Sequence, residues 1–359
     1  MLLSSQDAWQ HSGPLPAFRS HALSAGAFTA AIRTPFEGCA LRAHPPKVLT
    51  NLRFTLIYGL LQAQFISRLI LRPGKTHSPR LMPQFDDHFM TVTALTDPGI
   101  LEIRGRDAVK FLQGYCTCDL LTLTENQALY GAITNIQGRV ETTFVAILDT
   151  AHVLTPLDEP SILLRMSRTC LPYIQEFLAK YAVFSKVTLI DRSQDIVCFG
   201  CDEAVSAPSG LVVKIPQRPT AYEFWSRTAI QATSNLETWK ALEIQAGLAW
   251  LDQPQAGKYQ PFELGMAANA SIDFQKGCYL GQEIIARVHY RGKTKTVFRV
   301  GSAEGACRPG DPIYAGAKPC GEVINSAAAG ATTACSVIIQ TDVLTQSLTI
   351  HSRPFVLQP

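Results

Sequence analysis

The densest cluster of chemistry-bearing residues is Phe274-Gln-Lys-Gly-Cys-Tyr-Leu-Gly-Gln-Glu283, followed closely by Arg287 and His289. Gly277 and Gly281 bracket three residues and are free to take positive φ, as a tight exposed turn requires. Cys278 then sits on that turn beside Lys276. A helix starting at Gly281 would bring its positive end near the thiol. An exposed, electropositive setting favours thiolate and hence nucleophilic or redox chemistry. The competing reading is a small buried hydrophobe, the usual fate of a free cysteine.

Other candidates carry less information. Cys198-Phe-Gly-Cys201 is a lone CxxC, whereas a structural zinc site wants four ligands, commonly from two such pairs. Cys116 and Cys118 are one residue apart, and no His-x3-His accompanies them. Thiolates can hold a transient iron–sulfur cluster, but no spacing here selects them, so no metal is expected. Arg287, His289, Arg291, Lys293, Lys295 and Arg299, with Tyr290 and Phe298 interleaved, could touch RNA phosphates and stack a base. A solvated hairpin between domains is the plainer reading of that run. There is no phosphate-cradling glycine loop, no serine nucleophile elbow and no HExxH.

The elements that must position these residues begin near Pro98. Alternation predicts a strand at Gly99–Arg104, then a short helix ending at Gly114. Strands follow at 128–134 and 140–148, joined by the turn Asn135-Ile-Gln-Gly-Arg139. A helix falls within 163–181, with Leu171, Ile174, Phe177 and Leu178 on one face. Buried strands are expected at 187–190 and 196–199. A second amphipathic helix spans 236–248, with Trp239, Leu242 and Gln245 at three-residue spacing. Beyond Arg291-Gly292 come short strands separated by Gly, Pro and Ala loops. The expected organisation is a mixed α/β body at 90–290 and a small all-β module at 291–359.

The chain has 359 residues, 47% hydrophobic and 17% charged, enough for two or three globular domains and too apolar for disorder. Its net charge of +3 is unevenly placed. Residues 1–80 carry nine Lys/Arg against two acids, and the remainder is mildly acidic, with 23 basic and 27 acidic residues. That balance disfavours a whole-body electrostatic grip on nucleic acid. No secretory signal opens the chain and no apolar run is long enough to span a membrane. The ten cysteines are read as reduced and the compartment as cytoplasmic. Residues 1–89 read as an extension, disordered or translated upstream of a true start at Met82 or Met90. The alternatives are a transit peptide, which would make the location the mitochondrial matrix, and a basic amphipathic surface helix.

Lys276 to Glu283, with Ala286-Arg287 and Arg291-Gly292, resembles the signature of the YgfZ family, proteins similar to the aminomethyltransferase (T-protein) of the glycine cleavage system. Supporting fragments run in family order: Phe111-Leu-Gln-Gly114, Thr117-Cys-Asp119, Asn135 to Arg139, Lys180 to Thr188, and Trp239-Lys-Ala-Leu with Ala246-Gly247. The resemblance covers about 98–300. It implies an α+β, GcvT-like folate-binding fold with a C-terminal small β-barrel. It implies tetrahydrofolate, or a one-carbon derivative, as cofactor. It also implies a role in maintaining iron–sulfur enzymes, including those that methylthiolate tRNA, so that iron–sulfur enzymes or assembly proteins are the expected partners and tRNA an indirect one.

Under this resemblance Cys278 is the required thiol, Lys276 its companion and Trp239 a folate contact. A pterin needs an aromatic or apolar wall and a few placed polar groups. Trp239 can supply that wall or simply pack in the core. Gln245 and Tyr279 are expected beside the ligand, and Arg287 and His289 at its glutamate tail. Two departures stand out. The Ala-Gly turn, usually preceded by Glu, is here preceded by Gln245, and the stretch Thr96-Asp97-Pro98-Gly99 lacks the second aromatic wall that some members carry. Where aminomethyltransferases place an Asp after the Asn-bearing strand end, Asn135 leads to Arg139, and the nearest carboxylate is Glu141. An accessory folate-binding protein is therefore expected over a one-carbon transferase or an RNA-binding module.

Overall fold

The computed structural model describes residues 91–359 apart from 126, 156–158, 160, 204–209, 216, 219, 293 and 359. The expectations for residues 1–89, and Lys293, lie outside the described residues. Described strands are β1 (Val92–Leu95), β2 (Pro98–Arg104), β3 (Leu129–Thr134), β4 (Val140–Asp149), β5 (Ser161–Ser167), β6 (Thr188–Asp191), β7 (Val197–Cys201), β8 (Gly210–Lys214) and β9 (Tyr222–Ser226). The barrel strands are β10 (Thr296–Glu304), β11 (Pro312–Ala315), β12 (Lys318–Ala329), β13 (Thr332–Gln340), β14 (Leu348–Ile350) and β15 (Arg353–Leu357). Four α-helices are described: α1 (Ala108–Gln113), α2 (Leu171–Ala182), α3 (Leu236–Gln245) and α4 (Gln282–Arg291).

The strands form a five-stranded sheet in the order β3-β4-β5-β2-β6, a four-stranded sheet in the order β1-β7-β9-β8, and a closed barrel β10-β13-β12-β11-β14-β15. Strand pairing within each is antiparallel. β4 is buried at nearly every position, and its run VETTFVAILD is apolar or hydroxyl-bearing on both faces apart from the buried carboxylates Glu141 and Asp149 near its ends. One face meets Ile162, Leu164 and the helices through Leu112, Ile174 and Leu178. The other joins a core shared with the four-stranded sheet, α3 and the barrel, through Val145, Trp225, Trp239, Leu251 and Ile338. This double coverage makes β4 and β5 the spine of the body.

Three local expectations need correction. β6 is an edge strand with both ends exposed, not a buried one, because only β2 pairs with it. Strand β1, ahead of Pro98, and strands β8 and β9, between 201 and 236, are elements that sequence alternation did not place. On α3 the buried face carries Trp239, Ala241, Glu243 and Ile244, while Leu242 is 42% exposed and Gln245 is exposed. Three-residue steps drift by about 60° each around a helix, so the stripe drawn through 239, 242 and 245 leaves the buried face. Asn235 caps α3 by accepting from the Thr238 N–H at 2.9 Å. Among the described residues, no helix is long and apolar enough to cross a membrane.

Candidate functional site

A cleft of about 270 Å³ opens where α3, β5, the β1–β2 turn and the barrel meet. Its walls include Leu95, Asp97, Pro98, Arg165, Met166, Trp239, Lys240, Glu243, Ile244, Trp250 and Asn325. Pro98 supplies the apolar face expected of it. Trp250 adds an aromatic that the sequence left unremarked.

Behind the cleft lies a buried set of four charges. Arg165 on β5 hydrogen-bonds Glu243 on α3 at 2.8 Å and approaches Glu223 on β9 at 2.7 Å. The guanidinium also lies 4.1 Å over the Trp250 ring. Arg218 completes the set, 3.8 Å over the ring of Trp239. Burial works against the charge on Arg165, but Glu223 and Glu243 outweigh it and hold its pKa above the usual value. Burial pushes Glu223 up, partly offset by Arg165, and pushes Arg218 down. Such a set needs every member, because removing one leaves its partner charged in a low dielectric.

Trp239 is 4% exposed. Arg218 covers its ring, and the Gly200 backbone approaches so closely that a Cβ there would sit 2.1 Å from the indole. The indole is therefore clamped, and what it offers the cleft is an edge rather than a broad stacking wall. Its Nε1 has no hydrogen-bond partner, and neither has Trp250 Nε1 or Arg165 Nε. Buried N–H donors are normally paired. Trp239 and Trp250, each with an unpartnered buried indole N–H, line this cleft together with Glu243, a lining that suits a flat heteroaromatic ligand carrying both acceptors and N–H groups. At the cleft mouth Lys240 pairs with Asp97 at 2.5 Å and Glu237 at 3.6 Å.

Gln245 does not line this cleft: six residues place it about 120° from Trp239, whereas Glu243 at i+4 lies about 40° away. Gln245 stands where the resemblance expects a carboxylate, and two residues earlier Glu243 lines the cleft. Glu243, Arg165, Trp250, Arg218 and Glu223 were all missed. Only Glu243 left a signal, an acid one helical turn after Trp239.

The Cys278 turn is a separate place. Cys278 is exposed, as a reactive thiol requires, but neither it nor Lys276, Tyr279 or Arg287 lines the cleft. Lys276 is turned inward and buried, its Nζ donating to the carbonyls of Gln113 (2.9 Å), Cys116 (2.7 Å) and Cys118 (2.8 Å). Its charge therefore serves that carbonyl nest and not Cys278. Tyr279 is buried, with Lys276 Nζ 5.0 Å from its ring, and burial pushes its phenol up. Arg287 is exposed on α4, and His289 stacks on Phe274 at 3.8 Å. Gly281 has φ 81°, and a Cβ there would lie 2.3 Å from the Asn135 carbonyl. Gly277 does not take positive φ, because the turn is made instead by Asp273, whose Oδ1 accepts from the N–H groups of Gln275 and Lys276.

Glu141 is buried and engaged, accepting from Asn135 Nδ2 at 2.6 Å and Tyr173 Oη at 2.8 Å. Arg139 donates to the Lys258 carbonyl. Cys198 and Cys201 are buried on β7, and burial pushes both thiols up.

The architecture, two sheets and a barrel around a cleft, is that of the glycine-cleavage aminomethyltransferases. The enzyme from Bartonella henselae superposes with a TM-score of 0.56 at 10% identity, over 75% of this chain and 84% of that one. No protein-family model matches the chain. In sequence it is 30% identical over 237 residues to the tRNA-modifying protein YgfZ of Hamiltonella defensa, covering 57% of this chain and 68% of the relative. It is 32% identical over 231 residues to the protein of the same name from Colwellia psychrerythraea, covering 56% and 68%. The chain belongs to the YgfZ family.

Proposed function

We propose that this protein binds tetrahydrofolate, or a one-carbon derivative of it, in the cleft beside Glu243, and that it supports iron–sulfur enzymes and through them the modification of tRNA, methylthiolation in particular. The reading rests on one observation above all: two tryptophans with unpartnered indole N–H groups line a cleft together with a buried carboxylate. Glu243 would take N–H groups of the pterin edge, the Trp239 and Trp250 donors its acceptors, and Pro98 and Ile244 its apolar face. Lys240 at the mouth would meet the carboxylates of the glutamate tail. A bound one-carbon folate supplies a transferable one-carbon unit. The fold and the relatives' names support this reading.

The commitment of Glu141 to Asn135 and Tyr173 favours an accessory role over aminomethyl transfer, which needs a carboxylate free to handle a proton at the ligand. Cys278 would act at the surface, towards iron–sulfur enzymes or assembly proteins, and not inside the cleft.

Tetrahydrofolate titrated into the full chain should quench tryptophan emission and release heat. Glu243→Gln should weaken binding about tenfold or more, the loss of a charge-assisted pair, while Gln245→Ala should leave it unchanged. Absence of binding at millimolar tetrahydrofolate would refute the folate reading. Replacing Cys278 by Ala in cells should lower methylthiolated tRNA; unchanged levels would remove the thiol from the proposal.

A further inference from the structure

The Cys116–Cys118 pair lies outside the cleft and takes no part in the reading above. Thr117, between the two cysteines, points away from them, its hydroxyl donating to the Ser271 carbonyl at 2.8 Å. The two flanking thiols therefore share a side: Cys116 bridges Ile133, and Cys118 Sγ packs against Gly131, two residues away on β3. Cys116 Sγ also lies 3.4 Å from the Cys118 carbonyl and 3.7 Å from Lys276 Nζ. Two extended residues span at most about 7 Å, and the bend at Thr117–Cys118 can only shorten that, towards the separations disulfides bridge. Cys116 is fully buried, but Cys118 borders a second cleft of about 520 Å³, lined also by Asp119, Tyr130, Gln217 and Asp273, through which a small oxidant can arrive.

The charge environment sets this pair apart from the other buried thiols. Burial pushes Cys116 up, but the Cys118 thiol and the Lys276 ammonium outweigh it, so its pKa falls below the ordinary thiol value. Cys118, beside the Cys116 sulfur and buried, is pushed well above it. The pair thus gives up one proton readily and the second reluctantly, as a dithiol poised for attack by one sulfur on the other does. At Cys170 and Cys201 burial is the largest influence and no cation offsets it, so each is pushed up to about 11.

We propose that Cys116 and Cys118 form a peroxide-oxidisable dithiol, a site of reversible disulfide formation whose closure pulls carbonyl ligands away from Lys276 and loosens the loop that carries Cys278. The Cys116 thiolate attacks a hydroperoxide, the O–O bond breaks, hydroxide leaves and a sulfenic acid forms. The Cys118 thiol then attacks that sulfur; the S–S bond forms and the S–O bond breaks, releasing water once the displaced oxygen takes up the proton. The two thiols lose two electrons together and the peroxide gains them. Movement of the Cys116 and Cys118 carbonyls removes two of the three acceptors of a buried ammonium, which must then move with its loop. The site stands whether or not a folate occupies the first cleft.

The test uses the full chain carrying Cys278→Ser, treated with hydrogen peroxide, digested with trypsin and weighed. The peptide containing both cysteines should lose two hydrogens and regain them with dithiothreitol, with Cys170 and Cys201 unchanged. Cys118→Ser should abolish the loss. Lys276→Gln should slow it about tenfold, through loss of the cation 3.7 Å from the sulfur, and Lys276→Arg should preserve the rate. In the chain that keeps Cys278, oxidation of the pair should raise the iodoacetamide labelling rate of Cys278 several-fold. A peptide that keeps both hydrogens at millimolar peroxide overturns the site. An unchanged Cys278 labelling rate overturns its coupling to the loop, and an undiminished rate in a folded Lys276→Gln overturns the part given to the ammonium.

Discussion

Arg165 shows how much a single buried side chain can decide. It meets Glu223 and Glu243 within 2.8 Å while its guanidinium lies over Trp250, so one cation holds a strand, a helix and an aromatic wall together. Arg165→Met leaves two carboxylates without their counter-ion, and it is expected to cost about 3–5 kcal/mol in urea denaturation. The helix-to-cleft chemistry was only half readable at this scale. Trp239 was picked out by residue type. Its partner was not, because Glu243 was passed over for Gln245 on a spacing that does not close a helical turn. Arg165, Glu223 and Arg218 left no trace at all: a charge in a strand sequence says nothing about which distant charge it will face. Lys276 misled in the opposite way. Adjacency to Cys278 suggested an activating neighbour, but successive side chains on a turn diverge, and this one turned towards three carbonyls.

Among the elements, β2 carries a tie of a different kind. Glu102 is fully buried on that strand and receives Arg104 at 3.0 Å, Ser161 of β5 at 2.7 Å and Arg192, just beyond β6, at 2.7 Å. Three neighbouring strands thus converge on one carboxylate. Burial raises its pKa, but the hydrogen bonds from Arg104, Ser161 and Arg192 lower it further, and it ends below the ordinary value. A carboxyl depressed in the folded state stabilises fully above its unfolded pKa of about 4.3 and loses that contribution as pH falls through the folded value. Glu102→Gln is accordingly expected to lower stability by about 3 kcal/mol near neutrality and to flatten the decline in melting temperature below about pH 4. An unaltered acid limb in the variant would mean that the tie does not titrate. The long periodic elements, β2 to β4 and helices α2 and α3, were legible because alternation and amphipathic spacing announce them. β8 and β9 were not, and neither was the exposure of β6, since both depend on partners far along the chain.

For the whole molecule the decisive contact is between body and barrel. Asn325 on β12 clasps the Trp250 backbone with both ends of its amide, accepting from the N–H at 2.9 Å and donating to the carbonyl at 2.6 Å. Gln255 adds a bond to the Ile324 carbonyl at 3.2 Å. Because Asn325 and Ser326 also line the cleft, the barrel is one of its walls. Asn325→Ala should cost about 1–3 kcal/mol in stability by leaving buried backbone groups unpaired. It should also weaken tetrahydrofolate binding, measured by the same titration; a loss of stability with undiminished affinity would separate the barrel from the ligand site. That the C-terminal strands form an all-β unit was visible in the change of texture beyond Gly292. The clasp was not, because nothing about one asparagine in a strand foretells which tryptophan it will hold.

The ring formed by β10 to β15 has a further consequence for how copies of this chain can meet. A closed ring leaves no backbone edge for a neighbour to extend, so ribbon-like self-association would have to start from the open sheets. Of their four outer strands, β1, β3 and β8 each carry an isolated bridge to a flanking segment. Among the described residues that leaves β6, four residues long and ending in Asp191, as the bare edge: too short and too charged to seed a fibril readily, yet the first place to add a proline if the protein clumps on storage.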